Sequence, residues 1–131
     1  MNTEVMKFAT EGSEAGKLRF PEVVKALTDA GVESYHTDLI VGVKTYYMPD
    51  GQTHDVKMKL APLPIAAEYS KSGLVAAIRA AQKDEIRYPE FLKRAAAAGS
   101  AAYTVFVTGQ RAVYLGRKGE VHVEIFPGAK S

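Results

Sequence analysis

Apolar positions recur at helical spacing in four stretches of the chain and at alternating spacing in the stretches between them. Val5, Phe8 and Ala9 mark a helix from Thr3 to about Ala15, and Val23, Val24 and Leu27 mark one that opens at Pro21 and closes at Gly31. Leu74, Ile78 and Ala81 lie on a helix from Ser72 to about Gln82, with Ser70 or Ser72 as its cap. Phe91, Leu92 and Ala95 belong to a fourth helix, from Pro89 to Gly99. Proline suits a first helical turn, where its missing N–H is not needed, and glycine suits the left-handed residue that closes a helix. Runs rich in β-branched and aromatic residues predict strands over Ser34–Ile40, Val43–Met48, Gln52–Met58, Tyr103–Val107, Arg111–Leu115 and Glu120–Phe126. Pro49-Asp50-Gly51 and Gly116 to Gly119 read as turns between them.

The same order of elements occurs twice. Arg19-Phe20-Pro21-Glu22 recurs as Arg87-Tyr88-Pro89-Glu90, at an offset of 68 residues. Without a gap, that offset also carries Lys25 to Lys93, Gly31 to Gly99, Tyr35 to Tyr103, Tyr46 to Tyr114 and His54 to His122. The predicted fold is α+β: a tandem duplication of a helix–helix–β-meander unit, with antiparallel sheet packed against helices about an approximate internal twofold. The repeats span about 1–60 and 69–126 of one domain, 1–131, and the Pro-rich connector 61–65 joins them. Pro62 and Pro64 force that connector into an extended path, and Leu63 and Ile65 should hold it against the core. Each unit alone is too small to bury much surface, so the halves should share one core.

Composition removes several classes of chemistry. The 131 residues contain no cysteine, which excludes disulfides, thiolate nucleophiles and thiolate-held clusters. The N-terminus has no signal-peptide pattern and no run spans a bilayer, so the expectation is a cytoplasmic protein with no membrane partner. The net charge of +2 divides unevenly. Residues 1–68 hold seven basic and ten acidic residues, and residues 69–131 hold ten basic and five acidic. Lys71, Arg79, Lys83, Arg87, Lys93 and Arg94 make the second-half helices basic. Acidic residues interrupt them and no nucleic-acid-binding motif accompanies them, so nucleic acid is disfavoured as a partner and polyanion binding is the weakest functional reading.

No catalytic constellation, metal-ligand spacing or cofactor motif stands out, so no catalytic residue, metal or cofactor is assigned. Tyr35, Tyr46, Tyr103 and Tyr114 fall on strands, where aromatic pairs stabilise sheets. With His54 and His122 they are the candidate ligand-binding residues. The two histidines differ in context: Val121, Val123 and Ile125 alternate with His122, whereas Val56 and Met58 share parity with His54. Opposite sides of the sheet are the expectation if apolar residues face the core. Arg19 and Arg87 are each expected to pair with a carboxylate.

The words Leu18 to Glu22 and Ile86 to Glu90, the pair Tyr46-Tyr47 before Asp50-Gly51, and the segment Pro62 to Ile65 resemble the YdfO/YbcV-like bacterial family, whose members are often labelled "phage envelope protein". The likeness runs from about Gly16 to Phe126. It implies a compact α+β protein from bacterial or prophage genomes, with no activity, cofactor or catalytic residue to carry over. The leading functional expectation is a non-enzymatic protein-interaction or regulatory module with an unknown protein partner. A homodimer through an open sheet edge is compatible with it. The alternative is a small-ligand-binding protein or enzyme with a Tyr/His-lined pocket where the repeats meet.

Overall fold

A computed structural model describes residues 1–129. Four helices lie on one face of a six-stranded antiparallel sheet, an α+β architecture. The order is α1 (Thr3–Glu14), α2 (Phe20–Asp29), β1 (Ser34–Asp38), β2 (Val43–Tyr47), β3 (Thr53–Lys57), α3 (Lys71–Gln82), α4 (Tyr88–Ala97), β4 (Ser100–Phe106), β5 (Arg111–Gly116) and β6 (Val121–Ile125). The strands run β3-β2-β1-β4-β5-β6 across the sheet, so β1 and β4 join the two meanders at its centre. There His36 faces Thr104, a residue 68 positions later, and their side chains share a hydrogen bond of 2.7 Å. The bounds of α3, α4 and β6 are those of α1, α2 and β3 displaced by 68. The register Tyr35–Tyr46–His54 likewise becomes Tyr103–Tyr114–His122.

Sequence chemistry explains the helix ends. Pro21 and Pro89 occupy the first turns of α2 and α4. Glu22 accepts a hydrogen bond of 2.8 Å from the Arg19 backbone N–H, which satisfies a donor that α2 itself leaves unpaired. Gly99, with φ at +93°, closes α4 so tightly that a β-carbon there would sit 2.6 Å from the Glu68 carbonyl oxygen. The cap of α3 is Ser70 rather than Ser72: its hydroxyl accepts the Gly73 N–H at 3.0 Å.

Strand β1 ends two residues earlier than its β-branched run suggests. The Asp38 carboxylate accepts the N–H groups of both Ile40 and Val41 at 2.9 Å, which pulls the chain into the turn to β2. Beyond β3, Glu14 at the end of α1 accepts the N–H groups of Lys59 and Leu60 at 2.7 Å each. This anchors the start of the connector, whose Leu63 and Ile65 pack on the core.

The core lies between the helices and the covered sheet face. Met6, Leu27, Leu74 and Leu92, one from each helix, are wholly buried there with Tyr46 and Val105. The other sheet face has no helix over it and exposes Tyr47, Phe106, Val121 and Val123. Among the described residues no helix is long and apolar enough to cross a membrane.

Candidate functional site

Alternation along the strands decides which polar side chains enter the interior. On β2, Tyr46 points under the helices, so Lys44, two residues earlier, must do the same. Lys44 is 3% exposed. Its neighbour across the sheet is Thr37, fully buried, and Thr37 in turn faces Tyr103. At the start of α4, Tyr88 brings its hydroxyl down onto the same spot.

Lys44 Nζ lies 2.7 Å from Tyr88 Oη and 3.2 Å from Tyr103 Oη, and the two hydroxyls are hydrogen-bonded to each other. The ammonium also lies over three rings, 4.6 Å from the centroid of Tyr88, 5.2 Å from Tyr35 and 5.5 Å from Tyr103. Among the described residues no carboxylate pairs with it. The Thr37 hydroxyl is buried without a hydrogen-bond partner.

This cluster borders a cavity of about 370 Å³ between the helices and the sheet. The size is that of a small-molecule site. Val23, Ile78, Phe91 and Val105 supply apolar wall, and Tyr35, Tyr103 and Tyr114 supply aromatic wall. Burial pushes the Tyr35, Tyr88 and Tyr114 phenols well above their ordinary range, and neighbouring phenols reinforce the shift. They therefore line the cavity as neutral hydroxyls at neutral pH.

Two charged groups flank it. Arg19 and Arg87, which occupy equivalent places before α2 and α4, both reach Asp84 at 3.4 Å. Asp84 adopts a left-handed backbone, φ 59°, in the turn after α3. All three are partly solvent-exposed, as befits residues at the rim. On the far wall, Glu124 receives Arg79 at 2.6 Å, His122 at 3.1 Å and Gln82 at 3.3 Å. Burial opposes its charge, but these hydrogen bonds outweigh it and hold the carboxyl below the usual carboxylate range.

Of the six residues singled out by sequence, Tyr35, Tyr103 and Tyr114 line the cavity. Tyr46 does not. It is buried beside Tyr35, with ring centroids 5.3 Å apart, and its hydroxyl is hydrogen-bonded to Thr10 at 2.8 Å. His122 stands behind the wall and orients Glu124, while His54 pairs with Tyr46 on strand β3, away from the cavity lining. The two histidines share the covered sheet face, contrary to the expectation from their apolar neighbours: each stands opposite an inward tyrosine, and Val121 and Val123 turn outward. Edge strand β6 lies where helix cover ends, so its valines do not mark the core side. Arg19 and Arg87 do pair with a carboxylate, and it is a shared one. In the second-half helices Arg79, Arg87 and Arg94 each hold a carboxylate.

Lys44 and Tyr88 escaped sequence reasoning. A lysine at the parity of an inward tyrosine on an alternating strand was the available signal. Among the described residues no group of three or more His, Asp or Glu is placed to hold a metal ion.

A family of proteins of unknown function, DUF1398, matches residues 13–124. The chain belongs to the DUF1398 family. The matched DUF1398 span takes in Lys44, Tyr88, Tyr103, both rim arginines and Glu124, and omits most of α1. No curated protein matches the chain.

Proposed function

We propose that this DUF1398 protein binds a small, largely apolar organic molecule in the cavity between α2, α4 and the sheet. The observation that carries the proposal is the combination of apolar and aromatic walls with a few convergent polar groups at one end. The cavity of about 370 Å³ opens to solvent at the Arg19–Asp84–Arg87 rim and falls in the size range of small-molecule sites. The test is titration with N-phenyl-1-naphthylamine, a neutral apolar probe whose fluorescence rises in dry surroundings. One probe per chain is expected, with binding abolished in Ala112→Phe, which fills the cavity from the sheet side. Absence of probe binding to the unaltered protein contradicts the proposal.

The architecture is best read as a tandem duplication with an approximate twofold through the His36–Thr104 pair. The common offset of 68 in element bounds and strand register supports that reading. The Leu18–Glu22 and Ile86–Glu90 words support a narrower kinship with the YdfO/YbcV-like proteins.

A second reading, a protein-interaction role, is favoured by the uncovered sheet face, where Phe106, Val121 and Val123 are 38%, 54% and 46% exposed. The occupant proposed is a second copy of the chain. A twofold face-to-face pairing would bury these apolar side chains against the same side chains of the second copy. Light scattering should give a dimer that Val123→Lys converts to monomer; a monomer for the unaltered protein contradicts this reading.

A further inference from the structure

Hydrogen-bond arithmetic at the floor of the cavity goes further than its volume. An ammonium has three N–H donors and each phenol has one O–H. Lys44 uses two donors on Tyr88 and Tyr103, and one of the two phenols donates to the other. One N–H of Lys44 and one phenol O–H are left over, side by side. Among the described residues no carboxylate lies within ion-pair distance of Lys44 to supply the negative charge that a buried cation requires.

The charges around the cavity point the same way. Its lining contains Arg19, Lys44 and Arg87 against Asp84 and Glu124. Asp84 is held between the two arginines, and Glu124 is held by Arg79 and His122. Both carboxylates are thus engaged away from Lys44. With each carboxylate assigned to its partners, two positive charges are left over: one shared by the exposed rim arginines, and one on Lys44, which is 3% exposed. Two adjacent donors and one unit of charge match the two oxygens of a carboxylate.

We infer that the cavity takes an amphipathic monocarboxylate, with its apolar body against Val23, Ile78, Phe91 and Val105 and its carboxylate on Lys44 and the Tyr88–Tyr103 hydroxyl pair. The inference rests on the small-molecule reading above and adds the charge and orientation of the ligand. Arg19 and Arg87 then act at the rim, attracting the anion before it is desolvated, while Asp84 keeps them from competing as its final anchor. Charge-assisted hydrogen bonds in a dry site are worth roughly twice neutral ones, so a matched neutral compound should bind about tenfold more weakly or worse.

The probes are octanoate, 1-octanol and octylamine, each titrated against bound N-phenyl-1-naphthylamine. Octanoate is expected to displace the probe at about one-tenth the concentration of 1-octanol, with octylamine weakest. Lys44→Met should bring octanoate to the level of 1-octanol and leave 1-octanol itself within about threefold. Tyr88→Phe, which removes one hydroxyl and keeps the lysine, should weaken octanoate several-fold. Should Lys44→Met not fold, the amine resonance of ¹⁵N-labelled Lys44 in the unaltered protein serves instead, and it should move on addition of octanoate but not of 1-octanol. Equal binding of octanoate and 1-octanol, an anion preference that survives Lys44→Met, or an unmoved lysine resonance overturns the inference while leaving the cavity reading intact. Failure of N-phenyl-1-naphthylamine and all three octyl compounds to bind overturns both.

Discussion

Positions 44 and 112 occupy the same place on β2 and β5, 68 residues apart, and both border the cavity. One is lysine and the other alanine. The residues facing them across the sheet differ in the complementary way: Lys44 faces Val56, and Ala112 faces Glu124. The first half thus carries a buried cation with no carboxylate opposite, and the second a carboxylate that draws its hydrogen bonds from Arg79 and Gln82 on α3 and from His122. Tyr88 against Phe20 is a third contrast, since only the second-half residue brings a hydroxyl to the cluster. Around these differences the framework is alike. Tyr35 and Tyr46 lie 5.3 Å apart by ring centroid, and so do Tyr103 and Tyr114. Scaffold is shared between the halves, while the polar groups that give the cavity a direction are confined to single positions.

The largest expected effect concerns the buried tyrosines, which both halves contribute. Tyr35 and Tyr46 in the first, and Tyr88 and Tyr114 in the second, all resist ionisation because burial disfavours the phenolate. A raised folded-state value means that their stabilising contribution is complete below the unfolded value of about 10 and is lost as pH rises from there toward the folded value. Urea denaturation should show stability constant from pH 7 to 9 and falling steeply above pH 10, by up to about 1.4 kcal/mol per pH unit for each phenol. Phenolate absorbance should appear together with unfolding, rather than before it.

Next comes packing, where the halves diverge. Leu92 on α4 is wholly buried, whereas Val24, its counterpart on α2, is half-buried. Leu92→Ala should cost about 2–5 kcal/mol and Val24→Ala about 1 kcal/mol or less, read from denaturant midpoints. Equal losses would mean that the two helix pairs contribute alike to the core.

Glu124→Gln tests the second half's ion cluster. It should cost about 1–2 kcal/mol at pH 7, because Arg79 and His122 lose a charged acceptor. The Glu124 carboxyl lies below its ordinary range, so this contribution is present above about pH 4.3 and fades as pH falls through the folded value. The variant and the unaltered protein should converge in stability in acid.

The smallest stability effect is expected at Lys44. Lys44→Met replaces a costly buried cation with an apolar side chain of similar length and leaves Tyr88 and Tyr103 bonded to each other, so stability should stay within about 1 kcal/mol or rise. A residue retained there for ligand binding should be dispensable for folding. A loss of about 3 kcal/mol in the absence of ligand would identify Lys44 as a structural group instead.

Much of the framework was legible in the chain because it rests on local chemistry. Pro21, Gly31 and their counterparts bound helices, and alternating aromatic and β-branched residues mark strands. Strand β1 stops short of its β-branched run because the Asp38 carboxylate takes the N–H groups of Ile40 and Val41 out of the ladder. Val121 and Val123 do not mark the core side of β6, because they sit on an edge strand and face outward, 54% and 46% exposed. The cavity itself was beyond reach, since it depends on how far α2 and α4 stand from the sheet. Lys44 was within reach through its parity with Tyr46. A charged residue amid alternating polar and aromatic ones is ordinarily taken for the exposed face, and only the strand register with Thr37 and Tyr103 shows what surrounds it.

The most direct test is a crystal structure of the protein with octanoate. The account predicts the carboxylate within hydrogen-bonding distance of Lys44 Nζ and of a Tyr88 or Tyr103 hydroxyl, with the chain running past Phe91 toward the rim. A carboxylate on Arg19 and Arg87 with the chain buried against Lys44, or octanoate found only on the uncovered sheet face, would contradict it.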